Sequence, residues 1–281
     1  MMGIFNDVLL TADYDRTLTD PEGKIPQRNL DAIRYFMDNG GSFTVNTGRS
    51  LPLSADILRS VPMNAPFLCY NGSLTIQDGV IMDQYTIDLP LVETLRSVCR
   101  AFPDLNVDLH GLHAHVGFQP VGRWQEYYAA QNCDYYLAEE REDYGPFLKF
   151  NVYGALHGGS FYQAFSGAPE EIIRVDEAAQ WLQDTYGDKI TVFRAGARVL
   201  NIHAKGVSKI RAARELQARL KKKFLICVGD AENDLPMLEG ADYAFCPSDG
   251  TIADRFSNVC PCGDGAVADV IYEKIPEILK G

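Results

Sequence analysis

The chain has 281 residues, a length that predicts two domains. Of these residues 46% are hydrophobic and 23% charged, which is typical of a folded protein and excludes a disordered chain. The 26 Lys and Arg residues against 38 Asp and Glu give a formal net charge of −12, which argues against a nucleic-acid partner because such proteins need a basic surface. No apolar run has the roughly 18 residues of a membrane span and no signal peptide is apparent, so we expect a cytoplasmic protein without a membrane partner.

Strands and helices alternate in the amino-terminal part of the predicted fold. The predicted elements, in chain order, are a strand over 4–11, a helix from Pro26 to a stop at 39–41, a strand over 42–45 and a helix around 55–58. The first strand is predicted to be buried because it consists mostly of large apolar and β-branched residues. Such an alternation of strand and helix is typical of a parallel sheet.

The carboxyl-terminal part resumes this alternation. Its predicted elements are a helix over 210–220, a strand over 224–228, a helix starting at 235–238 and a strand over 243–245. The middle of the chain mixes short alternating runs with helical ones, at 109–118, 147–153, 91–102 and 178–186. We therefore predict an α/β fold in which 1–80 and 190–281 form one parallel-sheet domain and 81–189 form an inserted α+β domain.

Two carboxylates follow the first predicted strand, in the sequence Asp13-Tyr14-Asp15-Arg16-Thr17. This position is the carboxyl end of a parallel strand, where open α/β sheets place their ligands. Carboxylates so close together repel each other unless a cation or a proton lies between them, and Mg²⁺ is a hard cation that suits oxygen ligands. Taken alone, the pattern also fits a solvated turn, because Asp and Thr are common turn formers.

A second acidic strand end supports the same interpretation. Asp230 and Asp234 follow the predicted strand over 224–228, and both could join the first carboxylates around one ion. Alone, this loop is also compatible with a solvated turn. Two acidic strand ends in one predicted sheet are harder to attribute to chance than one.

Two weaker signals concern phosphate. Thr47, Gly48 and Arg49 stand at the end of the second predicted strand, where a hydroxyl and backbone N–H groups could hold a phosphate group. Lys209 stands at the start of the basic helix and could neutralise a phosphoryl group. Each signal also has an ordinary interpretation, a loop in the first case and a surface lysine in the second.

In this order and register, the four signals resemble the four motifs of the haloacid dehalogenase (HAD) superfamily of phosphatases. The long insert, with Asn71-Gly72 before it and 206–209 after it, is similar to the Cof-type subfamily with a type 2 (C2B) cap. The resemblance covers both flanks of the insert. It implies a Rossmann-like parallel-sheet HAD core, an inserted α+β cap domain over 81–189, and Mg²⁺ as the cofactor.

The resemblance also implies a role for each matching residue. Asp13 would be the nucleophile that forms an aspartyl-phosphate, and Asp15 would be the general acid and then the base. The implied sets are Asp13, Asp15, Thr47 and Lys209 for catalysis, Tyr14, Thr47, Gly48, Arg49, Lys209 and Asn233 for phosphate binding, and Asp13, Asp15, Asp230 and Asp234 for the metal. In the metal set, Asp230 would bind the ion directly, whereas Asp234 would support the residues that bind the ion.

Some residues depart from the family's usual pattern or stand outside its motifs. Arg16 stands where the family usually has Gly, so the loop must suit a side chain there. Ala231 stands where many relatives have a polar residue at the metal. His110, His113 and His115 invite a metal interpretation, but no Cys or acidic residue completes a zinc set nearby, so we expect a structural or substrate-facing role.

We predict a Mg²⁺-dependent phosphatase that hydrolyses small phosphorylated metabolites, with sugar phosphates as the favoured class. Residues 81–190 contain 7 Lys and Arg against 17 Asp and Glu, and this excess of acid favours singly phosphorylated, hydroxyl-rich substrates over highly anionic ones. Two alternatives stay open. One is a phosphomutase or phosphotransferase with the same aspartyl-phosphate, and the other is a non-catalytic sensor of a phosphate ligand in which Arg16 prevents turnover.

Overall fold

The computed structural model describes residues 3–120, 124–140, 143–154 and 169–280. In these residues the strands are β1 Val8–Ala12, β2 Ser42–Val45, β3 Phe67–Cys69, β4 Leu74–Gln77, β5 Val80–Gln84, β6 Asn106–His110, β7 His115–Gln119, β8 Tyr135–Leu137, β9 Lys149–Tyr153, β10 Ile190–Gly196, β11 Val199–Ala204, β12 Phe224–Val228, β13 Tyr243–Pro247 and β14 Ser257–Val259. The α-helices are α1 Gln27–Asp38, α2 Ala55–Ser60, α3 Leu91–Ala101, α4 Trp124–Ala130, α5 Pro169–Tyr186, α6 Lys209–Leu220, α7 Leu235–Glu239, α8 Ala266–Asp269 and α9 Ile275–Lys280. Within the described residues, no helix is both long and apolar enough to cross a membrane.

A five-stranded parallel sheet with the order β14-β13-β12-β1-β2 forms the core of one unit. β1 lies between β12 and β2, so that Leu10 pairs with Ile226 on one side and with Phe43 on the other. Every residue of β1 is buried, as the continuous apolar run predicts. The strand begins later than predicted, because residues 4–7 form a turn that leaves Ile4 exposed.

The predicted helices beside this sheet are confirmed. α1 buries Ile33 and Phe36, which lie on one helical face. α6 begins with a side-chain cap, because the Ser208 hydroxyl accepts a hydrogen bond from the Arg211 N–H at 3.2 Å. This cap fixes the first turn of α6 and makes Lys209 the first residue of the helix.

A small sheet of β3, β4 and β5 continues the five-stranded sheet. The connection is a parallel bridge between Asn46, which follows β2, and Leu68 of β3. In the turn after β3, Asn71 and Gly72 have left-handed backbone with φ of 52° and 92°. Glycine is required at the second position, because a Cβ there would lie 2.5 Å from the carbonyl oxygen of Ser208. This turn therefore packs directly against the start of α6.

A six-stranded sheet with the order β10-β11-β9-β6-β7-β8 forms the core of a second unit. Its neighbouring strands are antiparallel except for β7 and β8. One face is apolar and contributes Leu109, Phe150 and Ile202 to a core that also includes residues of α3 and α5. The alternate positions are mostly polar, and the buried polar residues among them are Asn106, Asp108, His110, His115, Lys149, Asn151, Asn201 and His203.

The chain divides into these two units as Met1–Gly48, Asp56–Asp83 and Ser208–Gly281 for the first, and Arg49–Ala55 and Gln84–Val207 for the second. The second unit is thus an α+β insertion into a parallel-sheet unit. Its end lies after Val207, whereas the sequence placed it at residue 189, because β10 and β11 complete the six-stranded sheet. The segment Arg49–Ala55 also belongs to it, since Leu53 packs against the cluster around Trp124.

Candidate active site

The carboxyl ends of β1 and β12 bring the two acidic segments together. The strands are adjacent and parallel, with Ala12 paired to Val228. The Asp13 N–H continues this pairing, since it donates to the Val228 carbonyl oxygen at 2.9 Å. Asp13 and Asp230 therefore emerge at the same edge of the sheet, which is where open α/β sheets bind their ligands.

Lys209 contacts both acidic segments. Its Nζ lies 2.5 Å from Asp13 Oδ1 and 2.7 Å from Asp234 Oδ1, and all three side chains are buried. A buried ion pair is stable when the remaining lone pairs are also hydrogen-bonded. Asp234 meets this condition, because its Oδ2 accepts hydrogen bonds from the N–H groups of Asp230 at 3.1 Å and Ala231 at 3.4 Å.

Burial and mutual repulsion oppose the negative charge of these carboxylates. Burial raises the pKa of Asp13, Lys209 lowers it, and Asp234 raises it again, so that the net shift is upward. Burial likewise raises the pKa of Asp230, and Asp234 and Asp13 add to this effect. Burial lowers the pKa of Lys209, but the two carboxylates that it contacts outweigh burial and raise it overall. Further positive charge would therefore stabilise the ionised site.

These residues fit a divalent cation. Carboxylate oxygens of Asp13, Asp230 and Asp234 lie within 4.8 Å of one another, and such hard oxygen ligands suit Mg²⁺. Asp234 already accepts hydrogen bonds at both oxygens, so the fit is best for Asp13 and Asp230. Asp15 is half-buried and close enough to raise the pKa of Asp13.

The end of β2 places Thr47 and Gly48 beside β1. The Asn46 N–H donates to the last carbonyl oxygen of β1 at 2.9 Å, and the Asn46 side-chain amide donates to the Lys209 carbonyl oxygen at 2.9 Å. Thr47 is buried. Gly48 packs closely against Asn71, since a Cβ at Gly48 would lie 2.8 Å from Asn71 Oδ1. The strand end that the sequence associates with phosphate is thus tied to the helix that carries Lys209.

The other predicted site residues lie in three places. Tyr14 is buried, and its carbonyl oxygen accepts a hydrogen bond from the Thr19 N–H at 3.0 Å. Asn233 is half-buried in the short turn before α7. Arg49 belongs to the second unit, where its guanidinium donates to the Leu53 carbonyl oxygen at 3.3 Å. Tyr14 and Asn233 are therefore in the two loops that carry the carboxylates, whereas Arg49 is not.

Two threonines that were not among the predicted site residues support the site. The Thr17 hydroxyl donates to Asp230 Oδ1 at 3.0 Å. Thr251 binds the Asp230 carbonyl oxygen through its N–H at 2.8 Å and its hydroxyl at 3.1 Å. Thr17 could have been found from its place in the Asp-x-Asp-x-Thr pattern, but nothing in the local sequence marks Thr251. Together they hold the backbone and the carboxylate of Asp230 in place.

Arg16 has the backbone conformation that glycine adopts without strain. Its φ is 58°, in the left-handed region that L-residues with a side chain rarely occupy. The Arg16 N–H donates to Thr19 Oγ1 at 3.2 Å, and the side chain is half-buried. The loop therefore keeps a glycine-like geometry although a side chain is present.

Replacing Arg16 by Gly is expected to raise the free energy of unfolding by about 1 kcal/mol, because relief of left-handed strain exceeds the entropy that glycine adds to the unfolded chain. Urea unfolding of both proteins measures the difference. Arg34→Gly, on an exposed face of α1, is the matched control and should lower stability by about 1 kcal/mol. A loss of stability in Arg16→Gly would contradict the strain argument.

The three histidines between residues 110 and 115 differ in their exposure to solvent. His113 is exposed in the turn between β6 and β7. His110 and His115 pair across these strands, are buried, and stack with ring centroids 3.8 Å apart. Among the described residues, the carboxylates of the first unit are the one group of three or more convergent metal-ligand side chains, and the histidines are not part of it. Burial lowers the pKa of both buried histidines, and the charge of Lys149 lowers it further, so both are neutral at pH 7.

Acid is expected to destabilise the second unit through these histidines. The pKa of His115 is about 3 in the folded protein and about 6.5 in an unfolded chain, so the unfolded chain binds more protons as the pH falls through this interval. Stability is therefore complete above pH 6.5 and is lost below it, by about 2 kcal/mol at pH 5 for this residue alone. Urea unfolding at pH 7 and pH 5 measures this loss.

Two variants test whether His115 causes the acid effect. His115→Asn should show a smaller loss of stability between pH 7 and pH 5, because residue 115 then no longer takes up a proton on unfolding. His113→Asn should keep the full loss, because His113 is exposed. Equal losses in the two variants would show that another group is responsible.

The geometry and the comparisons together identify the kind of protein. A parallel α/β unit with a carboxylate cluster at its strand ends, and an α+β unit inserted into it, defines a class of enzymes that bind ligands at that edge. The model of the haloacid dehalogenase-like hydrolase family matches residues 10–252. The chain belongs to this family and is a Cof-type hydrolase.

Similar proteins cover nearly the whole chain. A protein of Haemophilus influenzae named "Putative phosphatase" is 22% identical over 258 residues, which are 90% of this chain and 88% of that protein. A haloacid dehalogenase-like hydrolase from Bacteroides thetaiotaomicron has a TM-score of 0.76 at 19% identity, covering 95% of this chain and 98% of the other. A sugar phosphatase of HAD subclass IIB has a TM-score of 0.75 at 16% identity, covering 96% and 98%. At such identities the solved structures show a shared fold.

Proposed function

We propose that the chain is a Mg²⁺-dependent phosphatase that hydrolyses small phosphorylated metabolites, with sugar phosphates as the favoured class, through an aspartyl-phosphate on Asp13. The observation that carries this proposal is the buried contact of Asp13 with Lys209, beside the carboxylates of Asp230 and Asp234. Family membership supports it, and the sugar phosphatase among the similar structures supports the substrate class.

In this mechanism Asp13 attacks the phosphorus atom of the bound phosphate group, and the alkoxide of the metabolite leaves. The Lys209 ammonium neutralises the attacking carboxylate and the phosphoryl oxygens, an effect that is strong in a site without bulk water. Bound Mg²⁺, held by Asp13, Asp230 and the backbone carbonyl of Asp15, would supply positive charge against the repulsion between nucleophile and phosphate. Phosphoryl transfer depends on such positioning and charge neutralisation.

Asp15 moves the protons in both halves of the reaction. It protonates the leaving alkoxide, and the resulting carboxylate then accepts a proton from the water that attacks the aspartyl-phosphate. The Thr47 hydroxyl and the Gly48 N–H hold phosphate oxygens, and Asn233 binds from the opposite loop. Tyr14 and Arg49 complete the proposed phosphate-binding set.

Asp234 acts in this proposal as a positioning residue. It holds the ammonium of Lys209 with one oxygen and the N–H groups of the loop after β12 with the other. Its negative charge also keeps Lys209 protonated, because it raises the pKa of that lysine. Asp234 therefore sets the position and the charge of the group that contacts Asp13.

A phosphate-release assay over a panel of phosphorylated metabolites tests the proposed function. We expect Mg²⁺-dependent release from at least one pentose or hexose phosphate, and loss of release when EDTA removes the metal. Release that EDTA does not affect would contradict the proposed role of the metal. Binding of phosphorylated ligands without any release would instead favour the non-catalytic sensor.

A phosphomutase or phosphotransferase would use the same residues. Product analysis with a sugar bisphosphate separates the two reactions, because a mutase returns an isomer with little free phosphate, whereas a phosphatase releases phosphate. The glycine-like φ of Arg16 favours an active enzyme over the sensor, because the loop keeps the backbone conformation that glycine would adopt there.

Mg²⁺ is expected to stabilise the protein against unfolding. A ligand that binds only the folded state adds about 2.7 kcal/mol when its concentration is a hundred times the dissociation constant. Asp230→Asn should lose most of this increment, because it removes a carboxylate from the cation-binding pair. Thermal unfolding with Mg²⁺ and with EDTA measures it, and Asp254→Asn, in the short turn before β14, is the matched control. An equal Mg²⁺ increment in Asp230→Asn would contradict the assignment.

A further inference from the structure

The solvent-exposed side of α1 carries charges of alternating sign. It includes Arg28, Asp31, Arg34, Tyr35 and Asp38, which we call the α1 face, and all five residues are exposed. They lie within about 120° of the helix circumference, because successive residues of an α-helix are rotated by about 100°. The buried residues of α1 lie on the other side of the helix. The charges of α1 therefore follow one another along one strip, in the order positive, negative, positive, negative.

Contacts within the chain leave the charges of the α1 face accessible. Arg34 Nη1 lies 3.4 Å from Asp31 Oδ1, and these two side chains remain 53% and 60% exposed. Arg28 Nη2 lies 2.6 Å from Asp269 Oδ1, and the Arg28 side chain is still 43% exposed. The Asp38 carboxylate has neither a hydrogen bond nor an ion pair within the part of the chain that the structure describes. A second molecule can therefore contact these charges without breaking the fold.

An aromatic patch borders the α1 face. The rings of Tyr35 and Tyr272 have centroids 5.6 Å apart, and each of these residues is 41% exposed. The Phe5 ring packs edge-on against Tyr35, and Ile4, its neighbour in the sequence, is 62% exposed. Grouped exposed apolar residues indicate an interaction surface, and tyrosine is enriched in protein–protein interfaces. The patch thus offers apolar contact area beside the charges.

The charge pattern of the α1 face is complementary to itself in the antiparallel direction. Suppose that two copies of α1 pack side by side, with a two-fold axis between them at the level of Ile33. Arg28 of each copy then lies opposite Asp38 of the other, and Asp31 lies opposite Arg34 to within one residue. Two-fold symmetry repeats each contact and gives four pairs of opposite charge. The strip is about 15 Å long, and helices that cross at about 20° stay in contact over this length.

Other arrangements of two such helices bring like charges together. A shift of the antiparallel pair by one turn places Arg28 opposite Arg34 and Asp31 opposite its own copy. A shift in the other direction places Asp31 opposite Asp38. A parallel pair places every charge opposite itself. Since like charges at a contact are strongly unfavourable, the pattern fits one orientation and one register.

We propose that the α1 face binds the α1 face of a second copy of this chain, in an antiparallel pair with two-fold symmetry. The charges select the orientation, because exposed ion pairs add little affinity whereas opposed like charges exclude the other arrangements. Tyr35 lies on the same side of the strip in both copies and about 6 Å from its own copy along the helix axis, so the tyrosines supply apolar contact. A surface of this size gives a weak dimer. The inference does not depend on the proposed function.

Analytical ultracentrifugation of the full chain at increasing concentration measures the dimer. We expect an equilibrium of monomer and dimer with a micromolar dissociation constant. Asp31→Arg should raise this constant at least about tenfold, because two-fold symmetry replaces two attractive contacts by two repulsive ones. Arg34→Asp should do the same. Net charge cannot explain the effect of Asp31→Arg, because this change makes the acidic chain less negative and lessens the general repulsion between copies.

The double variant Asp31→Arg, Arg34→Asp tests whether the two charges pair between copies. It exchanges their signs, so each again lies opposite a charge of the other sign, and the dissociation constant should return to within about threefold of the wild-type value. Asp254→Arg makes the same change of charge as Asp31→Arg but lies in the short turn before β14. This matched control should leave the dissociation constant unchanged. Thermal unfolding verifies that each variant is folded.

Asp38→Lys separates contact between copies from a role in folding. A lysine at the end of α1 is favoured by the helix dipole, so the monomer should be at least as stable as wild type. The same change opposes Arg28 of the second copy and should raise the dissociation constant about tenfold. A chain that stays monomeric at high micromolar concentration would overturn the proposal and leave the α1 face as a solvated surface. A dimer with the same dissociation constant in all three single variants of the α1 face would also overturn it, because that dimer forms through another surface.

Discussion

Asp13→Asn is expected to reduce the rate of Mg²⁺-dependent phosphate release by a factor of about 10⁴ to 10⁶, as loss of a nucleophile does in other covalent mechanisms. The amide of Asn has nearly the shape of the carboxylate but cannot form the aspartyl-phosphate. The Lys209 ammonium contacts two carboxylates in the wild-type protein, and in this variant it keeps the contact with Asp234 but loses the one with Asp13. Single-turnover assays with the best substrate of the panel measure the rate.

Matched measurements separate chemistry from folding in this variant. Asp31→Asn changes an exposed carboxylate of α1 and should keep the wild-type rate. Thermal unfolding should show that Asp13→Asn is folded and no less stable than wild type, because one of three mutually repelling buried carboxylates has been neutralised. Brief incubation with phosphate-labelled substrate should label wild-type protein and leave the variant unlabelled. Equal rates in Asp13→Asn and wild type would exclude Asp13 as the nucleophile.

The sequence predicted the first unit well because its signals are local. A continuous apolar run predicts a buried strand such as β12, and the carboxylates directly after it lie at the edge where ligands bind. The spacing of Ile33 and Phe36 likewise predicts the buried face of α1. In each case neighbouring residues determine the structure, so a short window of sequence contains enough information.

The parts that were missed depend on contacts between distant residues. Thr251 and Asp230 are 21 residues apart, and no local pattern shows that the hydroxyl of one binds the carbonyl oxygen of the other. The end of the second unit was misplaced for the same reason, because β11 joins its sheet by pairing with β9 and β10 joins it by pairing with β11. The start of β1 was misplaced because Ile4 has strand propensity but lies in an exposed turn.

The charge balance of the site also depends on contacts between residues that are distant in the sequence. The sequence indicates that Asp13 and Asp230 repel each other if they are close. It does not indicate whether a basic side chain or a bound cation relieves this repulsion. The structure adds Lys209, which contacts Asp13 and Asp234 but leaves Asp230 with a raised pKa. The folded arrangement thus places one ammonium among three buried carboxylates. This imbalance of charge is an argument for a further cation, and it is visible only in the structure.

Lys209→Met is expected to lower the free energy of unfolding by about 3–5 kcal/mol in the absence of metal, because removing one partner leaves buried carboxylates without their counter-charge. Met keeps the length and the apolar stem of Lys but not the ammonium. Mg²⁺ should restore part of the loss, since a cation near Asp13 and Asp230 relieves their repulsion, but not the part due to Asp234. Urea unfolding with EDTA and with Mg²⁺ measures both terms.

The double variant Lys209→Met, Asp234→Asn tests whether the loss comes from the buried charge of Asp234. The amide introduced by Asp234→Asn would keep an oxygen for the backbone N–H groups of Asp230 and Ala231, so the double variant should recover about half of the stability that Lys209→Met loses, and the two changes should not be additive. Lys24→Met, at an exposed position, should change stability by no more than about 0.5 kcal/mol. Strict additivity of the two changes would show that Lys209 and Asp234 are not energetically coupled. Phosphate release should nevertheless stay low in the double variant, because recovered stability does not replace the ammonium that neutralises Asp13 and the phosphoryl group.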